Sequence, residues 1–190
     1  MEKTLNEKES LALIHSMIAG TRSNLRENST HFLLWGWAVF LSALTHYILL
    51  MLKIPWSFVV WPIAMPLAGI VSMIIGRKQE REAVVKTHLD RALNYLWGGF
   101  TVVLFITLGA SVKYGFEITY PILIWLYGLG TFVSGGILRF QPLVWGGVVA
   151  WLLGVLAIFL PFEQQLLAVA GAILFSYILP GHMLRRAPNA

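Results

Sequence analysis

Few side chains in this chain could do chemistry, and His46 is the most suggestive of them. It stands inside an apolar run about two turns from one end. An ionisable group at that depth is a site hypothesis by default. It could titrate, bind a ligand or gate, or it could be a neutral imidazole bonded to a neighbouring helix. Lys53, Lys113, Glu117 and Glu163 fall near the same end, with Tyr47, Tyr114 and Tyr120. They could form a polar vestibule or be solvated loop ends. Asn94, one turn before Gly98, could bond a partner helix or touch a ligand. Pro62 and Pro66 should bend the helix that carries them and free carbonyls near a cavity. His46, Asn94, Glu117, Pro62 and Pro66 are therefore the candidate ligand-contact residues.

The same search excludes much chemistry. His15, His31, His88 and His182 show no metal-ligand spacing with an acid between paired histidines. Cysteine is absent, which removes disulfides, thiolate metal sites and cysteine nucleophiles. There is no phosphate-binding glycine loop and no serine elbow. No carboxylate pair shares a depth, as intramembrane hydrolysis would need, and no buried carboxylate is visible for proton-coupled transport. A chain without catalytic residues, metal or cofactor is expected. An enzyme would require His46 to converge with Glu117 or Glu163.

The elements that position these residues follow from composition. Of 190 residues, 57% are hydrophobic and 12% charged, against about 25% charged in soluble domains. A helix needs about 20 apolar residues to cross a bilayer. Six segments qualify, at 32–52, 56–75, 92–112, 120–138, 143–160 and 165–180. The fold class is all-α, a polytopic transmembrane bundle occupying residues 31–184. It is preceded by a helical segment over 1–30 and followed by a short tail, 185–190.

Orientation follows from the cations. Lys3, Lys8, Arg22, Arg26, Arg77, Lys78, Arg81, Lys86, Arg91, Arg139, Arg185 and Arg186 lie on one side, and only Lys53 and Lys113 on the other. The positive-inside rule then puts both termini in the cytoplasm of a bacterial inner membrane. The net charge of +5 is accounted for by orientation and anionic lipid, so nucleic acid is not an expected partner. No signal peptide is visible, and the first span should act as its own insertion signal.

Leu11, Ile14, Ile18 and Leu25 recur at helical spacing, and residues 6–27 read as an amphipathic helix. It could lie on the inner leaflet, cover the bundle, or pair with a cytoplasmic protein partner. Asn28, Ser29 and Thr30 would cap a new helix after it. The loop 76–91 is charged, with Glu82, Lys86 and Asp90 at i,i+4. The third helix is therefore expected to begin near Glu80.

Three spans open alike, with FLLWGW at 32–37, NYLWGG at 94–99 and PLVWGG at 142–147. This pattern suggests three hairpin repeats about a pseudo-threefold axis. Small residues recur every fourth position: Ala64, Ala68, Ser72 and Gly76; Gly146, Ala150 and Gly154; Ala168, Ala172 and Ser176. Such stripes let helix backbones approach closely. Ser42, Thr45, Thr101, Thr107, Ser134 and Ser176 can bond their own helix carbonyls.

The stretches NSTHFLLWGW (28–37) and LPGHML (179–184) resemble those of small six-span membrane proteins of Bacteroidetes-type bacteria. That resemblance implies the helix count and the N-terminal amphipathic segment, and no functional residues. The leading expectation is a protein that binds or moves a small or lipid-like molecule. The alternative is a regulatory or scaffold subunit that holds a partner through its N-terminal helix and basic loop. Oligomeric state is not legible.

Overall fold

The structure is a computed structural model that describes residues 7–82 and 88–186, with side chains described from Ser29 to Arg81 and from His88 to Arg186. Among the described residues every regular element is helical and there is no strand. The helices are α1 (Glu7–Met51), α2 (Val60–Glu82), α3 (His88–Tyr114), α4 (Thr119–Ile137), α5 (Gln141–Ile158), α6 (Phe162–Ile173) and α7 (Leu179–Arg186). A single 3₁₀ turn, Ser57–Val59, precedes α2, and a π turn, Leu174–Ile178, joins α6 to α7. Six helices are long and apolar enough to cross a membrane: Ser29–Met51, Ser57–Arg81, His88–Tyr114, Thr119–Ile137, Gln141–Ile158 and Phe162–Arg186.

Several local expectations are corrected. Asn28, Ser29 and Thr30 do not open a new helix, because α1 runs unbroken from Glu7 to Met51. Capping residues favour helix starts only where the backbone breaks, and the helical pattern on both sides carries through them. The helix around Glu80 belongs to the end of α2, and α3 starts later, at His88. The apolar face of 6–27 and the loop residue Lys86 lie outside the described side chains.

Chain reversals use left-handed backbone at three places. Lys53 (φ 57°) ends α1 and Arg139 (φ 52°) ends α4. In each, the following amide reaches five residues back, Ile54 N to Leu49 O at 3.0 Å and Phe140 N to Gly135 O at 2.9 Å. This is the Schellman closure, which satisfies carbonyls left free at a helix end. Among the described residues, glycine supplies the conformation without a Cβ penalty at Gly115 alone (φ 85°), after α3.

The sixth span continues past Pro180, where the sequence suggested an end. Proline lacks an N–H and its ring collides with the carbonyl four residues earlier, here Ser176. The backbone answers with a wider turn, in which Leu179 N–H bonds Leu174 O. The extra width needs small neighbours. A Cβ on Gly36 of α1 would come within 3.0 Å of Tyr177 and Ile178. A Cβ on Gly146 of α5 would come within 2.7 Å of Phe175 O and 2.8 Å of Ser176 Cα. The π turn is thus gripped between two Trp-Gly motifs.

The third motif does not join them. No atom stands within 4 Å of where a Gly98 Cβ would be. Among the described residues α2 also makes no contact with α3, where a closed threefold ring would require one. The three Trp-Gly pairs do not occupy equivalent places. Instead α1, α4, α5 and the sixth span form the core, with α2 leaning on α1 and α3 leaning on α4. The best spanning windows of α2 and α3 are each only 6% buried, against 56% for α4 and 61% for the sixth span.

Candidate functional site

His46 is buried between α1, α2 and α4 (3% exposed). Trp61 Nε1–H of α2 donates to its Nδ1 at 2.9 Å, and the Tyr120 hydroxyl of α4 lies 3.3 Å from the same nitrogen. An indole N–H can only donate, so Nδ1 must be the lone-pair acceptor and the neutral ring carries its hydrogen on Nε2. Phe162 closes the cluster, its ring 6.4 Å from His46 and 5.5 Å from Tyr120. The ring partners of His46 are thus aromatic; neither Glu117 nor Glu163 is among them. Its geometry joins three helices and leaves Nδ1 occupied.

Phe162 also connects this cluster to a cleft. At the ends of α4, α5 and α6 a hollow of ≈ 340 Å³ is lined by Glu117, Pro121, Ile158, Leu160, Phe162 and Gln165. That volume is at the lower end of small-molecule sites, which are mostly apolar with a few placed polar groups. Glu117 is exposed, while Gln165 is only 3% exposed. Gln165 Nε2 donates to Leu160 O at 3.2 Å, and its Oε1 is buried without a hydrogen-bond partner. The amides of Gln164 and Gln165 already donate to Pro161 O, and those of Thr119 and Tyr120 to Phe116 O. The helix starts facing the hollow therefore have several of their donors already in use.

The other candidate residues are dispersed. Asn94 is exposed near the opposite end of α3. Pro62 and Pro66 are both exposed on α2. Pro62 occupies the first turn, where a missing N–H costs no helical bond. Only Pro66 is interior to the helix. Of the vestibule residues, Tyr120 is buried against His46, whereas Tyr114 is exposed with Lys113 Nζ 5.2 Å from its ring centre. Ser176 does bond its own helix, Oγ to Ala172 O at 2.6 Å, as Thr101 does to Trp97 O at 2.8 Å. Ser134 does not, and its buried hydroxyl has no partner.

The small-residue stripes differ in burial, and no atom stands within 4 Å of where a Gly76 Cβ would be. Ala68, Gly146, Ala150, Gly154, Ala168, Ala172 and Ser176 are buried; Ala64 and Ser72 are partly buried on a helix whose neighbouring positions are exposed.

Two arrangements had no precedent in the sequence reading. His31 bridges α1 to α2 in a directional chain. Trp35 Nε1–H donates to Ser72 Oγ (3.3 Å), Ser72 lies 3.1 Å from His31 Nδ1, and His31 Nε2 lies 2.9 Å from Gln79 Oε1. The visible signal is the i,i+4 spacing of His31 and Trp35, which shares a helix face. Between α4 and α5, Trp125 Nε1 donates to Trp151 O (3.3 Å) and Trp151 Nε1 donates to Trp125 O (3.1 Å). Each indole lies where a partner glycine's Cβ would be, Trp125 over Gly154 and Trp151 over Gly128.

No family model, curated protein or solved structure matches the chain, so the six membrane-length helices stand without an assigned family.

Proposed function

We propose that this chain is a non-enzymatic multi-pass protein of the bacterial inner membrane that binds a small or lipid-like molecule. The arginine- and lysine-rich ends face the cytoplasm, on the charge distribution described above. The reading is carried by the cleft at the opposite end, where apolar walls surround one carboxylate and one carboxamide. A Cβ on Gly147 would meet Gly128 O at 2.7 Å and one on Gly135 would meet Val144 N at 2.6 Å, so α4 and α5 leave no lumen between them. Native mass spectrometry of the protein released from nanodiscs is the test. A stoichiometric ligand that is lost in Ile158→Trp, which fills the cleft, supports binding. A ligand-free particle contradicts it.

A second reading is a subunit that holds a cytoplasmic partner. The favouring observation is the continuity of α1, whose backbone remains helical from Glu7 into the first span. At 1.5 Å per residue the part before Ser29 is a rod about 33 Å long. Deleting residues 1–27 should abolish co-purification of such a partner. Unchanged co-purification contradicts this reading.

A further inference from the structure

The lining of the cleft selects a head group. Its described polar side-chain groups are acceptors or already-committed donors. The Glu117 carboxylate only accepts when ionised, and among the described residues no ion pair holds it. Gln165 Nε2 is committed to Leu160 O, which fixes the carboxamide's orientation and leaves Oε1 as a buried acceptor without a donor. Oε1 is enclosed rather than open to the hollow, so a ligand N–H recovers the missing bond with a small turn of the Gln165 side chain. No lysine or arginine lines the hollow. The remaining walls are Ile118, Pro121, Ile158, Leu160, Pro161 and Phe162, the last presenting an aromatic ring beside Tyr120 and His46. Aromatic rings attract cations and accommodate alkyl chains.

We infer that the cleft binds the protonated amine head of an amphiphile, with Glu117 as counter-ion, Gln165 Oε1 as acceptor and the alkyl chain leaving along Ile158 and Phe162. The inference rests on the binding reading above and narrows it to a ligand class. An anionic head would face Glu117 without a compensating cation. A neutral alcohol offers one donor where an ammonium offers three. The amine could belong to an ethanolamine-headed bilayer lipid or to a small free amine, since both present the same chemistry.

The test uses the full chain in a neutral, amine-free detergent. Decylammonium, decanol and decanoate are titrated separately, and bound stoichiometry is read by native mass spectrometry. Decylammonium should saturate at one per chain and bind at least about tenfold more tightly than either competitor, as charge-assisted hydrogen bonds predict. Glu117→Gln, a change at an exposed position, should reduce that preference to about threefold or less. Equal binding of the three probes, or a preference indifferent to Glu117→Gln, overturns the amine assignment while leaving the binding reading intact. No saturable binding by any probe, or binding indifferent to Ile158→Trp, overturns the binding reading itself. Displacement of decylammonium by an ethanolamine-headed lipid places the amine on a bilayer lipid. Displacement by butylammonium but not by the lipid places it on a small solute.

Discussion

The seam between α4 and α5 and the contact between α1 and α2 solve the same problem by opposite means. Helices in lipid gain nothing from apolar burial against each other, because lipid tails are equally apolar. The α4–α5 seam therefore relies on close approach. Gly128, Gly135, Gly147 and Gly154 bring backbone and indole so near that an added Cβ would collide. Dispersion contacts, individually about 0.1–0.2 kcal/mol, accumulate over such a surface. The α1–α2 pair is held at two polar points. His46 and Trp61 make one, and His31, Ser72, Gln79 and Trp35 make the other. Much of the rest of α2 is exposed, including Ile63, Leu67, Ile70 and Ile74. A continuous seam is therefore sensitive to volume, whereas a clasped helix is sensitive to hydrogen-bond chemistry.

The largest effect expected is at the seam. Gly147→Ala places a methyl 2.7 Å from Gly128 O and 2.8 Å from Phe132 N, both backbone atoms that cannot rotate away. We expect a loss of about 3 kcal/mol, the upper part of the usual overpacking range, in reversible unfolding in bicelles. A loss below about 0.5 kcal/mol would show that the helices separate freely and would break the comparison.

Next come the clasps. Trp61→Phe removes the donor to His46 Nδ1 while keeping an aromatic ring, and should cost about 1 kcal/mol. Hydrogen exchange should rise in α2 and stay unchanged in α4 and α5. Ser72→Ala removes the hydroxyl between Trp35 and His31 and should cost a similar amount, about 1 kcal/mol, again confined to α2. The two clasps are about 16 Å apart along α2. The double variant should therefore be additive within about 0.5 kcal/mol, and a larger coupling would mean that α2 docks as one unit.

The smallest effect sharpens the contrast. Gly99→Ala on α3 meets no atom within 4 Å. It should change stability by no more than about 1 kcal/mol, in the stabilising direction, because alanine loses less backbone entropy than glycine. The same chemical change thus has opposite signs at Gly147 and Gly99.

Much of the framework was legible in the sequence because the bilayer imposes a length. Six runs of sufficient apolar length can only be satisfied as helices once inserted, and small-residue stripes mark where backbones meet. Facing partners were less legible. The stripe of Gly146, Ala150 and Gly154 was visible, but not that it would face a π turn at one end and Trp125 at the other. The π turn had a local signal, Pro180 four residues after Ser176. The apolar run was read as ending at that proline, at 165–180. Residues 28–30 were read as a cap because serine, threonine and asparagine favour helix starts, yet Ser29 is fully buried within α1. Of the site, His46 and Glu117 were recognised from depth and charge. Gln165 was passed over because a carboxamide near a loop end carries no distinguishing spacing; only three-dimensional burial reveals its unpaired oxygen.

In this fold α2 and α3 turn broad apolar faces outward, toward lipid, while α4 sits inside the bundle. The chain has no cysteine, so single cysteines can carry spin labels without background. Labels at Ile70 of α2 and Phe105 of α3, which are 57% and 68% exposed, should be compared with one at Leu123 of α4, which is 8% exposed. In bilayers, oxygen accessibility measured by power-saturation paramagnetic resonance should be high and the labels mobile at Ile70 and Phe105, and low with an immobilised label at Leu123. Immobile, oxygen-shielded labels at Ile70 and Phe105 would contradict the claim, since those faces would then be covered by protein rather than lipid.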